Sequence, residues 1–122
     1  MRILVVDDDS LAGEMTGAVL EEAGHEVVLA GDGIAAAELL NTDAAIELVV
    51  SDMNMPMISG IDLFRELRAQ DVNLPFILLT GDDPAGPLAQ EPKLDACLIK
   101  DAELEESLPR VIAEVCARYG KT

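Results

Sequence analysis

The sequence predicts a doubly wound α/β fold, a five-stranded parallel sheet with helices on both faces. Short apolar runs recur along the chain: Ile3-Leu4-Val5-Val6, Val27-Val28-Leu29, Leu48-Val49-Val50, Phe76-Ile77-Leu78-Leu79 and Cys97-Leu98-Ile99. Longer stretches separate them, several with apolar residues at helical spacing. The runs are nearly continuous in apolar residues, as strands buried on both faces must be, and that pattern belongs to parallel sheets sandwiched by helices.

The elements follow in order. Ile3 to Val6 is a strand that ends abruptly in Asp7-Asp8-Asp9. From Ser10 to Gly24, Leu11, Met15, Ala18, Val19 and Ala23 recur at helical spacing, with Ser10 as N-cap and Gly24 as the stop. A second strand and a Gly31-Asp32-Gly33 turn lead to a short helix from Ile34 to about Leu40. The third strand ends at Ser51-Asp52, and a loop from Met53 to Gly60 contains Pro56. The methionines of that loop read as packing around the strand end. Ser59 and Asp62 have the spacing of a capping box, opening a helix with Ile61, Phe64 and Leu67 on one face. The fourth strand ends at Thr80. Pro84, Pro87 and Pro92 then limit any helix to a short or irregular one. The fifth strand ends at Lys100. A last helix spans about Glu103 to Arg118, with Leu104, Leu108, Val111, Ile112 and Val115 inward and Pro109 inside the pattern.

The length of 122 residues fits one domain over 1–122, with no room for a second. Half the residues are apolar but only Phe64, Phe76 and Tyr119 are aromatic, so the core is aliphatic. The 24 acidic residues against 8 basic ones give a formal charge of -16. The bases Arg2, Arg65, Arg68, Lys93, Lys100, Arg110, Arg118 and Lys121 are scattered. That excludes direct nucleic-acid binding and disfavours anionic membranes, which need clustered Lys and Arg. Cys97 and Cys116 lie in apolar stretches and read as buried thiols in a reducing cytoplasm. No apolar run is long enough for a signal peptide or a membrane span. His25 falls at the start of a strand, on the far edge of the sheet from the strand ends, where it has no chemical role.

The strand ends carry the chemistry. In sheets of this kind the site lies at the carboxyl ends of the strands. Those ends offer Asp7 and Asp8, then Asp52, Thr80 and Lys100. Each alone has an ordinary explanation: a solvated turn, a strand terminator, a surface lysine. Together on one sheet edge, three carboxylates call for a hard divalent cation, and Mg2+ takes a few carboxylates plus waters. Asp52 can then attack phosphorus as a carboxylate nucleophile, with the cation, Lys100 and the Thr80 hydroxyl sharing the charge on the phosphoryl oxygens.

These residues resemble a family. Ile3-Leu-Val-Val-Asp7-Asp8-Asp9 is similar to the opening of response regulator receiver domains. Asp52-Met-Asn-Met-Pro56-Met-Ile-Ser-Gly60 matches their Asp-x-x-Met-Pro-x-x-x-Gly signature, and Thr80 and Lys100 follow at the next two strand ends. The resemblance covers Arg2 to about Arg118. It implies a flavodoxin-like receiver fold with strand order 2-1-3-4-5 and a signalling module rather than an enzyme. It further implies phosphorylation on Asp52 and Mg2+ held by Asp8, Asp52 and the Asn54 main-chain carbonyl, with Asp7 acting through water. Lys100 would pair with the phosphoryl group and Thr80 would reorient toward it, while Asn54 and Asp82 flank the incoming water. The implied partners are a sensor histidine kinase or phosphotransfer protein and a downstream protein target.

Three departures bear on signalling. The family's proline after the lysine, joined by a cis peptide, is Asp101 here; the aromatic residue three before the lysine is Cys97; and the Thr80-to-Lys100 interval is short and proline-rich. They leave open a receiver-like interaction module that signals without phosphorylation. An aspartate-nucleophile phosphatase would need an acid where Asn54 stands, and a nucleotide site would need glycines where Asp7-Asp8-Asp9 stands.

Overall fold

The apolar runs form strands β1 (Arg2–Val6), β2 (Glu26–Ala30), β3 (Ile46–Asp52), β4 (Phe76–Thr80) and β5 (Ala96–Ile99). Each is followed by a helix: α1 (Ser10–Glu22), α2 (Gly33–Thr42), α3 (Gly60–Ala69), α4 (Ala85–Gln90) and α5 (Leu104–Arg118). The structure is a computed structural model that describes residues 1–120; Thr122 and Lys121, one of the scattered bases, lie outside the described residues. All neighbouring strands pair in parallel, in the order β2-β1-β3-β4-β5 that the family resemblance implies. The order reverses between β1 and β3, so the crevice at their carboxyl ends falls beside Asp7, Asp8 and Asp52.

Alternation along each strand divides the core in two. Leu4, Val6, Val49 and Leu78 face Ile61, Leu63, Phe64 and Leu67 of α3 and Ala36 of α2. Ile3, Val5, Val50, Ile77 and Leu79 face Leu20 of α1 and Leu108, Ile112 and Val115 of α5. Each such aliphatic side chain contributes about 1.5–3 kcal/mol by burial, which is how a nearly non-aromatic chain holds together. The two phenylalanines meet edge to face at 5.3 Å, and the Arg68 guanidinium lies 4.5 Å from the centre of the Phe64 ring.

Two readings of α1 are corrected. Its N-cap is Asp9, not Ser10: the Asp9 carboxylate accepts from the Leu11 and Ala12 N–H groups at 3.0 and 3.2 Å. Its buried face is Gly13, Thr16, Gly17 and Leu20, whereas Leu11 and Met15 are 64% and 63% exposed. Small residues let the helix lie close on β2, and a Cβ on Gly17 would stand 3.2 Å from Val27 Cγ1. Gly24 does end the helix, with φ at +96°. The Ser59–Asp62 capping box is present in full at the start of α3. α4 has only six residues, in keeping with its prolines, and Pro109 sits inside a continuous α5. No cis peptide occurs among the described residues, so Lys100 and Asp101 are joined in trans.

The loop after β3 is anchored by Gly60, whose N–H donates to Met53 O at 2.9 Å. A Cβ there would fall 2.4 Å from Leu78 Cδ1 and 2.5 Å from the Asp52 carbonyl oxygen. Leu78 could shift, but the Asp52 backbone is part of a central strand. Gly60→Ala should therefore cost about 2–3 kcal/mol in urea unfolding, at the upper end of overpacking effects. An unchanged midpoint would mean that the strand yields freely. Met53 and Met55 pack against the core, but Met57 does not: it is 73% exposed at φ +70°, a correction to the reading of all three as packing.

Candidate functional site

The strands deliver their terminal residues to one edge. Asp7 and Asp8 follow β1, Asp52 ends β3, Thr80 ends β4 and Lys100 follows β5. Asp7, Asp8 and Asp52 each place a carboxylate oxygen within 4.8 Å of the others, a hard oxygen donor set of the kind Mg2+ takes. Lys100 Nζ lies 2.7 Å from Asp7 Oδ2 and 3.1 Å from Asp52 Oδ1. The lysine thus reaches the acids across a trans Lys100–Asp101 bond. Its own N–H donates to Thr80 O at 2.8 Å, which fixes the end of β5 against β4.

Burial and charge compete at the centre. The Asp52 side chain is only 12% exposed. Burial pushes its carboxyl above the ordinary range, the bond to Lys100 pulls it down, and the neighbouring charges of Asp7 and Asp8 push it up again, leaving it raised. Burial pulls the Lys100 ammonium down, but its bonds to Asp7 and Asp52 outweigh that and its pKa is raised. The site is therefore an ion cluster with an excess of negative charge, in which Lys100 stays cationic.

The remaining residues are less closely gathered. Thr80 is 3% exposed, and its hydroxyl accepts from the Asp82 N–H at 3.2 Å. Asn54 stands exposed on the loop after β3, two residues from Asp52. Cys97 is buried within the α2–α3 side of the core, and burial pushes its thiol up to about 11, so it is an inert core residue. Cys116 is buried in the opposite cluster. His25 lies just before β2, with Nδ1 3.3 Å from the N-terminal amine, remote from the acids.

Two residues escaped the sequence reading. Asp9 was one more acid in a run, yet it caps α1 and its N–H donates to Asp7 Oδ1 at 2.9 Å. Two capping residues in succession, Asp9 and Ser10, were the available signal, and it was ambiguous. Asp95 ties the opposite edge together, accepting from Phe76 N–H at 2.8 Å and pairing with Arg68 at 3.4 Å. Partners so far apart in sequence leave no local pattern.

Comparison with known proteins agrees with this geometry. The family model of the response regulator receiver domain matches residues 3–111. Response regulator MprA of Mycobacterium avium is 36% identical over 115 residues, covering 93% of this chain and 50% of that protein. Response regulator protein PmrA of Pseudomonas aeruginosa is 37% identical over 115 residues, covering 93% and 52%. The chain thus spans about half the length of the curated relatives it matches. Among solved structures, a response regulator receiver domain protein from Clostridium thermocellum superposes with a TM-score of 0.86 at 28% identity, covering 98% of this chain and 96% of that one. Response regulator TrrA of Thermotoga maritima, solved in complex with Mg(2+)-BeF, gives 0.84 at 28% identity, covering 93% and 97%. With its strand order, its acidic crevice and these likenesses in agreement, the chain belongs to the response regulator receiver domain family.

Proposed function

We propose that Asp52 accepts a phosphoryl group in an Mg2+-dependent reaction and that the modified domain presents an altered surface to a partner protein. The observation that carries this reading is the convergence of Asp7, Asp8 and Asp52 with Lys100 Nζ at 3.1 Å from Asp52 Oδ1. Asp8, Asp52 and the Asn54 carbonyl would hold the cation, which when bound neutralises carboxylate and phosphoryl charge. One Asp52 oxygen forms the new bond to phosphorus while the donor's leaving atom departs with the electron pair of the broken bond. Lys100 balances the charge on the transferring oxygens. The Thr80 hydroxyl, engaged by the Asp82 N–H in the resting domain, would turn its proton toward them. Hydrolysis of the acyl phosphate, with Asn54 and Asp82 beside the attacking water, returns the domain to its resting state.

A protein phosphodonor, a sensor histidine kinase or phosphotransfer protein, fits the exposed Leu11 and Met15 near this edge better than a small molecule alone does. A cytoplasmic setting and a downstream protein target complete the reading. No helix among the described residues is long and apolar enough to cross a membrane. The acidic surface of this domain is not itself proposed to contact nucleic acid. One relative, YrkP of Bacillus subtilis, carries the name of a transcriptional regulatory protein, and this chain spans 49% of it.

The alternative, an interaction module that signals without phosphorylation, draws on buried Cys97, which cannot swing between positions as an aromatic ring does. Incubating the protein with Mg2+ and acetyl phosphate and weighing it intact separates the two: a phosphoryl adduct supports the first, and none leaves the second. Mg2+ alone should also stabilise the fold, by about 2.7 kcal/mol at a hundredfold excess over its Kd, and Asp8→Asn should remove most of that gain. An equal gain in Asp8→Asn would place the ion elsewhere.

A further inference from the structure

The lysine that balances the acidic crevice is held from another strand, across the carboxyl edge of the sheet. The residue after it does not grip it: Asp101 is in a trans bond, and its carboxylate accepts from the Glu103 N–H at 2.9 Å as the chain turns toward α5. What holds Lys100 Nζ most closely is Asp7 Oδ2, at 2.7 Å. The other Asp7 oxygen accepts from the Asp9 N–H at 2.9 Å. Asp9 is itself fixed, because its side chain caps Leu11 and Ala12 and its carbonyl accepts from Gly13 N–H at 2.9 Å. A Cβ on Gly13 would lie in ordinary contact with Asp7 Cβ, at 3.5 Å, so the start of α1 runs beside this aspartate.

We propose that Asp9 is a positioning residue for Lys100, acting through Asp7: the capped first turn of α1 orients the Asp7 carboxylate, and that carboxylate aims the ammonium at Asp52. The proposal rests on the reading of Asp52 as phosphoacceptor. Its physical basis is that an uncapped helix end leaves its first N–H groups without partners and frays. Asp9 N–H then loses its direction, Asp7 keeps one anchor of two, and Lys100 swings with it. The cap does this work, not the charge of Asp9. A serine at position 9 caps equally well and carries no charge.

The test compares D9A and D9S with wild type in a K93R/K121R background, where Lys100 is the only lysine. In metal-free protein the Lys100 ammonium should give an ordered, slowly exchanging 1H–15N signal in wild type, lose it in D9A and regain it in D9S. At saturating Mg2+ the rate of phosphorylation by acetyl phosphate should fall about five- to tenfold in D9A and recover in D9S, since small misplacements of a catalytic group cost that much or more. Because Asp7 also belongs to the acidic donor set, the Mg2+ affinity of each variant is titrated first, so that all rates are compared at saturation. An ordered signal and unchanged rate in D9A would overturn the proposal. So would a D9A defect that higher Mg2+ removes, or a folded D9S that behaves as D9A does. If wild type takes no phosphoryl group, the reading of Asp52 fails, and the metal-free signal still decides whether Asp9 holds Lys100.

Discussion

Asp52→Asn gives a folded protein that gains no phosphoryl group from acetyl phosphate and Mg2+, a loss of more than about 10³-fold, as expected when a nucleophile is removed. The amide has nearly the same shape and leaves the packing at the end of β3 intact, but its oxygen does not attack phosphorus. The same variant reports on the resting charge balance. Burial is the largest influence on Asp52 and raises its pKa in the folded state, net of Lys100. A carboxyl raised on folding favours the native state while it is protonated, below its unfolded value, and that advantage is lost as pH rises through the folded value. At neutral pH the ionised Asp52 therefore weighs against the metal-free fold. Asp52→Asn should be more stable than wild type at pH 7 without Mg2+, with the difference shrinking as the pH falls below the carboxylate range. Lys100 keeps Asp7 at 2.7 Å, so the substitution strands no cation. Urea unfolding at the two pH values and intact mass after acetyl phosphate treatment check both parts. An adduct on Asp52→Asn would move the acceptor to another residue.

Much of this is legible in the sequence, for a physical reason. Strands buried on both faces must be apolar throughout, so their ends are marked by the first polar residue, and in a parallel sheet all those ends share an edge. Asp7, Asp52, Thr80 and Lys100 could be gathered by that rule alone. The face of α1 could not. Apolar spacing pointed to Leu11 and Met15, whereas the buried positions besides Leu20 are glycines and a threonine that score poorly as core yet allow close approach to β2. Closeness to the sheet, together with the one leucine Leu20, selects that face. The bond from Asp9 to Asp7 was equally hidden, because a backbone N–H has no sequence signature. The trans Lys100–Asp101 bond also depended on the structure: the residue type departs from the family pattern, but only the fold tells how the lysine still reaches Asp52.

Lys100→Met separates the lysine's two roles by the sign of the change. In the resting domain Lys100 is the counterion of the crevice, touching Asp7 and Asp52 together. Removing it leaves the carboxylates with no ammonium among them, so the metal-free fold should lose about 2 kcal/mol, the order expected when a charged partner is taken from a partly buried pair. Mg2+ should bind more tightly, because the cation no longer competes with an ammonium for the same oxygens, and a high Mg2+ concentration should recover much of the lost stability. Phosphorylation should nonetheless fall by about 10²–10³-fold at saturating Mg2+, since no charge is left opposite the transferring oxygens on that side. Lys100→Arg should not restore the rate: a planar fork bonded to two carboxylates cannot place its charge where a compact ammonium on a flexible stem does. Calorimetric Mg2+ titration and initial rates with acetyl phosphate measure the two changes independently. Tighter metal binding with slower chemistry is the signature of a lysine that serves the phosphoryl group, while parallel losses of both would mean that Lys100 only holds the site together.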